Sequence, residues 1–185
     1  MKKFSLFTVL AVFALGSSLL FNSCEQAVDT NFEKGFSNIT FVVPVYPNTI
    51  DTTIANFDVT TNINDFAAIS GFTLTDIKSC KIKSCDLFID DTTTQFTPVT
   101  FDIVDHLSAT LATGGVAKEI ASKDVVHNSA TQVSLDIKKD VDVTEFIKAD
   151  NFTYKLNAKT NAGTDHVVPM HANITFSLVA TVKSK

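Results

Sequence analysis

One signature recurs along the chain past residue 37: in run after run, apolar side chains hold every second position. In the last long run, Met170, Ala172, Ile174, Phe176, Leu178, Ala180 and Val182 hold every second position, with His171, Asn173, Thr175, Ser177 and Thr181 between them. Successive side chains of a strand leave opposite faces, so a period of two means one buried face and one wet face. The same beat recurs at Ile39, Phe41 and Val43; at Phe57, Val59, Thr61 and Ile63; at Val133, Leu135 and Ile137; and at Phe152, Tyr154, Leu156 and Ala158. It also recurs at Val99, Phe101 and Ile103, then at Leu107, Ala109 and Leu111. Seven or eight half-buried strands in one block predict an all-β fold, an antiparallel β-sandwich. Pro44 suits a strand edge or a bulge.

Two short helices interrupt the strands. Asn64 can cap "DFAAIS", with Phe66 and Ile69 on one face and Gly71 as the stop. In "VDVTEFIKAD", Asp142 and Glu145 have capping-box spacing, Val141 and Phe146 can form a hydrophobic staple, and Asn151 can end the helix in the left-handed region. Such turns plug an open end of a sandwich core or cross between its sheets.

The first residues follow a different logic. Lys2 and Lys3 precede a mostly apolar run from Phe4 to Leu15, broken by Gly16, Ser17 and Ser18. This is the layout of a secretory signal; a membrane-spanning helix needs about 20 apolar residues and fits less well. The run ends Leu20-Phe21-Asn22-Ser23-Cys24, which resembles a lipobox, with Ser23 and Cys24 matching, Phe21 in place of the usual Leu and Asn22 bulkier than usual. Looser boxes of this kind resemble those of Bacteroidota-type lipoproteins. The resemblance, to small envelope lipoproteins with an immunoglobulin-like β-sandwich, implies cleavage before Cys24 and acylation of its thiol and new amine. An ordinary signal cut nearby, leaving a free Cys24, is the alternative. The expected organisation is residues 1–23 as signal peptide, 24–37 as a polar tether, and 38–185 as the sandwich domain. The expected location is the outer membrane, held by an N-terminal lipid anchor. Gln26-Ala27-Val28-Asp29 partly resembles surface-export signals of the same group, so the periplasmic face and the cell surface both stay open.

Composition excludes several classes. The net charge is −5, and loss of Lys2 and Lys3 with the signal makes the remaining domain more acidic still. An acidic chain without a basic patch argues against nucleic acid. All basic residues are Lys, which removes the bidentate guanidinium favoured for phosphate and carboxylate.

Candidate chemistry is sparse. Cys80 and Cys85 form a disulfide only if the strand bulges around Lys83-Ser84, where the apolar pattern slips; two buried free thiols are the other reading. No metal site is expected, since no paired short ligand spacing occurs. Asp105-His106 and Asp165-His166 are neighbours, and neighbours on a strand face apart, so His106, His127, His166 and His171 are expected as exposed or half-exposed side chains. No nucleophile elbow and no phosphate loop is present. A sugar platform has little to draw on: Trp is absent, Tyr154 reads as core-facing, and only Tyr46 looks free. Asp51-Thr52-Thr53 and Asp91-Thr92-Thr93 resemble an O-glycosylation motif of Bacteroidota-type exported proteins, with Thr52 and Thr92 as acceptors and Asp90-Asp91-Thr92 as a hairpin turn.

These observations point to a lipid-anchored, non-enzymatic binding or structural module of the cell envelope, with no cofactor, acting on a protein or glycan partner. A carbohydrate-binding accessory lipoprotein is the alternative. A fimbrial or adhesion subunit is a second one, weakened because such subunits resemble proteins cleaved after an Arg, and this chain has none.

Overall fold

The computed structural model describes residues 27–183 apart from residue 128, and the expected signal and Cys24 lie outside the described residues. It is an all-β antiparallel sandwich. The elements run β1 (Ala27–Val43), β2 (Asp51–Thr60), α1 (Ile63–Ser70), β3 (Ile77–Ile89), β4 (Val104–Thr113), β5 (Val116–Asp124), β6 (Gln132–Ser134), β7 (Asp136–Ile137), α2 (Thr144–Lys148), β8 (Asn151–Thr160) and β9 (Val168–Lys183). One sheet has the order β1-β9-β3-β6 and the other β2-β8-β4-β5-β7. Every strand pairing is antiparallel.

The inward residues of β8 and β9 are those the alternation picks out. Phe152, Tyr154, Leu156 and Ala158 are buried, as are Met170 through Ala180 at every second position. The sheets meet through aromatic contacts: Phe36 lies 5.6 Å from Phe152, Phe152 5.7 Å from Phe176, and Phe41 stacks on Phe57 at 5.6 Å. Edge-to-face and offset contacts of this kind add to the burial of the rings themselves. The outer face of the β1-β9-β3 sheet is polar, with Lys78 paired to Asp29 at 2.7 Å and Lys83 paired to Glu33.

Four local expectations are corrected. Residues 27–36 are not a tether: β1 begins at Ala27 and pairs with β9 down to Phe36–Ile174, resuming at Ile39 after a bulge in which Asn38 takes φ 55°. The first helix starts after Asn62, itself left-handed, and its buried residues are Ile63 and Ala67, whereas Ile69 is 88% exposed; Gly71 ends it at φ 80° as expected. The second helix follows Asp142, whose carboxylate accepts from the Thr144 N–H, but Glu145 pairs with Lys118 and Asn151 opens β8. Residues 90–100 are not a hairpin turn: they cross from β3 in one sheet to β4 in the other.

The two ends of the sandwich differ. Both helices lie at one end, where Phe146 and Ile147 of α2 are fully buried as a plug. The opposite end collects four connections: residues 44–50, 90–103, 125–131 and 161–167.

Candidate functional site

The four connections are stitched together by backbone and side-chain bonds. Tyr46 N–H donates to Thr164 Oγ1 at 3.0 Å, and Thr164 N–H returns to Tyr46 O at 2.6 Å. Ile50 and Thr160 repeat the pattern, with Ile50 N–H to Thr160 Oγ1 at 3.0 Å. Gly163 allows this approach: a Cβ there would lie 2.3 Å from Tyr46 O. Phe101 N–H donates to Ala130 O and Val125 N–H to Asp105 O, tying in the 125–131 connection.

His166 joins two of the connections. Its Nε2 lies 2.8 Å from Asp91 Oδ2 and its Nδ1 2.6 Å from Asp165 Oδ1, with its side chain 9% exposed and that of Asp91 2% exposed. Phe96 stacks on the imidazole at 4.9 Å and 10°. The two carboxylates, Asp165 first and then Asp91, hold the His166 pKa above its ordinary value, against the opposing effect of burial. Burial pushes the Asp91 carboxyl up, but hydrogen bonds from Val99 N–H, His166 and Thr93 N–H outweigh it and leave the pKa lowered.

The other histidines also have aspartate partners at this end. His106 Nδ1 meets Asp124 at 2.7 Å, His171 Nδ1 meets Asp90 at 2.7 Å while stacking on Phe88, and His127 Nε2 lies 3.6 Å from Asp105. Sequence reasoning missed this convergence because all four histidines find an aspartate partner far along the chain. The Asp165-His166 neighbours do meet, because residues 161–167 are a connection and strand alternation does not govern them. Among the described residues no group of three or more His, Cys, Asp or Glu could hold a metal ion.

Between the connections lies a solvent-open cleft of about 690 Å³. Its walls are Val45, Pro47, Thr97, Pro98, Val99, Thr100, Asp102, Ile103, Gly163, Thr164 and Asp165. The lining is mixed polar and apolar, with two carboxylates and no lysine. Beneath it is an almost wholly apolar cavity of about 50 Å³, bounded by Tyr46, Ile54, Phe101, Leu107 and Met170 among others. A cavity of about 150 Å³ takes a benzene ring, so this one is a packing gap. Tyr46, expected to be free, packs its ring against the core. The exposed aromatic here is Phe96, at 45%. Val45, Val126 and Val167 on the same connections are also exposed.

The remaining candidates lie elsewhere. Cys80 and Cys85 are free thiols, both buried. The expected bulge is present between Ile82 and Ser84 and turns both inward, opposite Leu178 and Ile174 of β9. Those partners are four residues apart, about 13 Å along a strand, whereas bridged Cα atoms sit about 4.4–6.8 Å apart. Burial pushes each thiol up to about 12. Thr52 is exposed on β2 and Thr92 exposed in the 90–103 connection. No helix among the described residues is long and apolar enough to cross a membrane.

No family model and no curated protein matches the chain. Solved virus structures resemble it at low identity. That of the infectious bursal disease virus Gx strain has a TM-score of 0.39 at 12% identity, covering 86% of this chain, which spans 34% of that one. That of Mud crab tombus-like virus has a TM-score of 0.36 at 10% identity, covering 92% of this chain and 100% of the other. That of Cocksfoot mottle virus has 0.32 at 7%, covering 86% and 85%. At such scores the likeness carries nothing about what this chain does.

Proposed function

We propose that the protein is a lipid-anchored, non-enzymatic module of the cell envelope that presents its four-connection end to a partner. The observation that carries this is the open cleft at that end, with exposed Val45 in its wall and exposed Phe96 and Val167 on the connections that form it. Exposed apolar side chains grouped around a concavity are the usual mark of a binding surface. Asp102 and Asp165 on the rim favour a partner segment that is apolar with a basic residue. Both ring nitrogens of His166 are engaged by carboxylates, which leaves neither free to act on a substrate and supports a binding role. The anchor rests on the Lys2–Cys24 pattern.

A photo-crosslinking side chain placed at Val45 in the native envelope tests the cleft. A discrete adduct, absent when the crosslinker sits at Asp58 on β2, supports a protein partner; no adduct at either position removes it. The exposed part of Phe96 favours the second reading, a glycan stacked on that ring. There a glycan array should show binding that Phe96→Ala abolishes.

A further inference from the structure

The helical end of the sandwich carries its own exposed apolar residues. Ala27 pairs with Lys183 and Val28 with Val182 at the tip of the β1-β9 ladder. A Cβ on Gly71 would lie 3.8 Å from Val182, and Phe72 lies 4.8 Å from Phe32, so α1 ends beside that tip. Ile69 projects into solvent from the last turn of α1, and Val28 stands 55% exposed on β1. Single exposed apolar residues are ordinary; what sets these apart is what lies next to them in the chain. Cys24 precedes Ala27 by three residues in the sequence, a segment whose full reach is at most about 11 Å at about 3.6 Å per residue.

We propose that this end rests on the bilayer surface, with Ile69 and Val28 dipping into the headgroup–acyl boundary. The inference rests on the reading of Cys24 as acylated and adds the orientation of the domain. β1, at about 3.3 Å per residue over its 17 residues, then holds the four-connection end on the order of 50 Å from the lipid. The charges here are mixed: Lys34 lies over the Phe36 and Phe66 rings, Lys78 is paired with Asp29, the Asp76 carboxylate feels the positive charge of Lys183, and Asp65 adds a further negative charge in the first turn of α1. The contact is therefore apolar and does not need anionic lipid.

The chain has no Trp, so one introduced indole reports its own depth. Full-length Ile69→Trp, and separately Val28→Trp, are expressed, purified from membranes and weighed intact to establish lipid on Cys24. They are then placed in phosphatidylcholine vesicles with or without acyl-chain bromination. Emission should be at least roughly halved by bromination, as for a side chain about 5–10 Å into the boundary. Val126→Trp, 76% exposed at the other end, should be unaffected. Lipid mass present with no quenching at either helical-end reporter, or with equal quenching at Val126→Trp, overturns the orientation alone. A mass without lipid overturns the anchor reading and this proposal with it.

Discussion

His166 is the residue whose environment departs furthest from what its neighbours in the chain suggest. Its pKa lies above the ordinary 6.5, so its contribution to stability is complete below pH 6.5 and is lost as pH rises through the raised value. The Asp91 pKa lies below the ordinary 3.8, so its contribution is complete above pH 3.8 and is lost as pH falls through the lowered value. The 90–103 and 161–167 connections are thus held most firmly between those limits. Melting temperature measured against pH should fall for the native protein above pH 6.5. In Asp91→Asn that alkaline loss should shrink, and the His166 titration seen by NMR should move toward its ordinary value. Gly163 is the second sensitive residue here: Gly163→Ala drives a Cβ against Tyr46 O and should cost about 1–3 kcal/mol in urea unfolding.

At the scale of elements, β1 is where polarity misleads. Residues 27–36 read as a tether because Asp29, Asn31, Glu33 and Lys34 dominate them, yet Phe32 and Phe36 pack on the core while the odd positions face water. Deleting residues 25–36 should therefore destabilise the domain by about 3 kcal/mol for two partly buried rings, whereas removal of a true tether would leave unfolding unchanged. β9 sits between β1 and β3, and its Phe176 is fully buried. Phe176→Ala should cost about 3–5 kcal/mol by denaturant titration, enough to threaten folding. β5 gave little warning in the sequence. Ile120 and Ala121 are adjacent and both buried, and its pairing with β4 shifts register between Ala109 and Thr110, so no clean period survives.

At the scale of the whole molecule, the core seals the thiols and the two ends differ in construction. Cys80 and Cys85 should resist alkylation at neutral pH in the folded protein and react only on unfolding, since burial removes both access and thiolate. Mass spectrometry after labelling with and without denaturant checks this; rapid labelling in buffer would mean that the β3-β9 interior opens locally.

The sequence by itself determined the all-β class, most inward-facing positions of β8 and β9, the slip in β3 and the glycine that stops α1. Those depend on local alternation and local backbone geometry. Only the tertiary structure decided that β1 reaches back to Ala27, that Cys80 and Cys85 share a face yet stand too far apart to bond, and that each histidine meets an aspartate. Every one of these depends on which strand lies beside which, and the energy of pairing residues separated by many positions leaves no periodic trace in either partner. The cleft follows the same rule: its walls come from three connections distant in the chain, joined by Gly163 against Tyr46 and by His166 against Asp91.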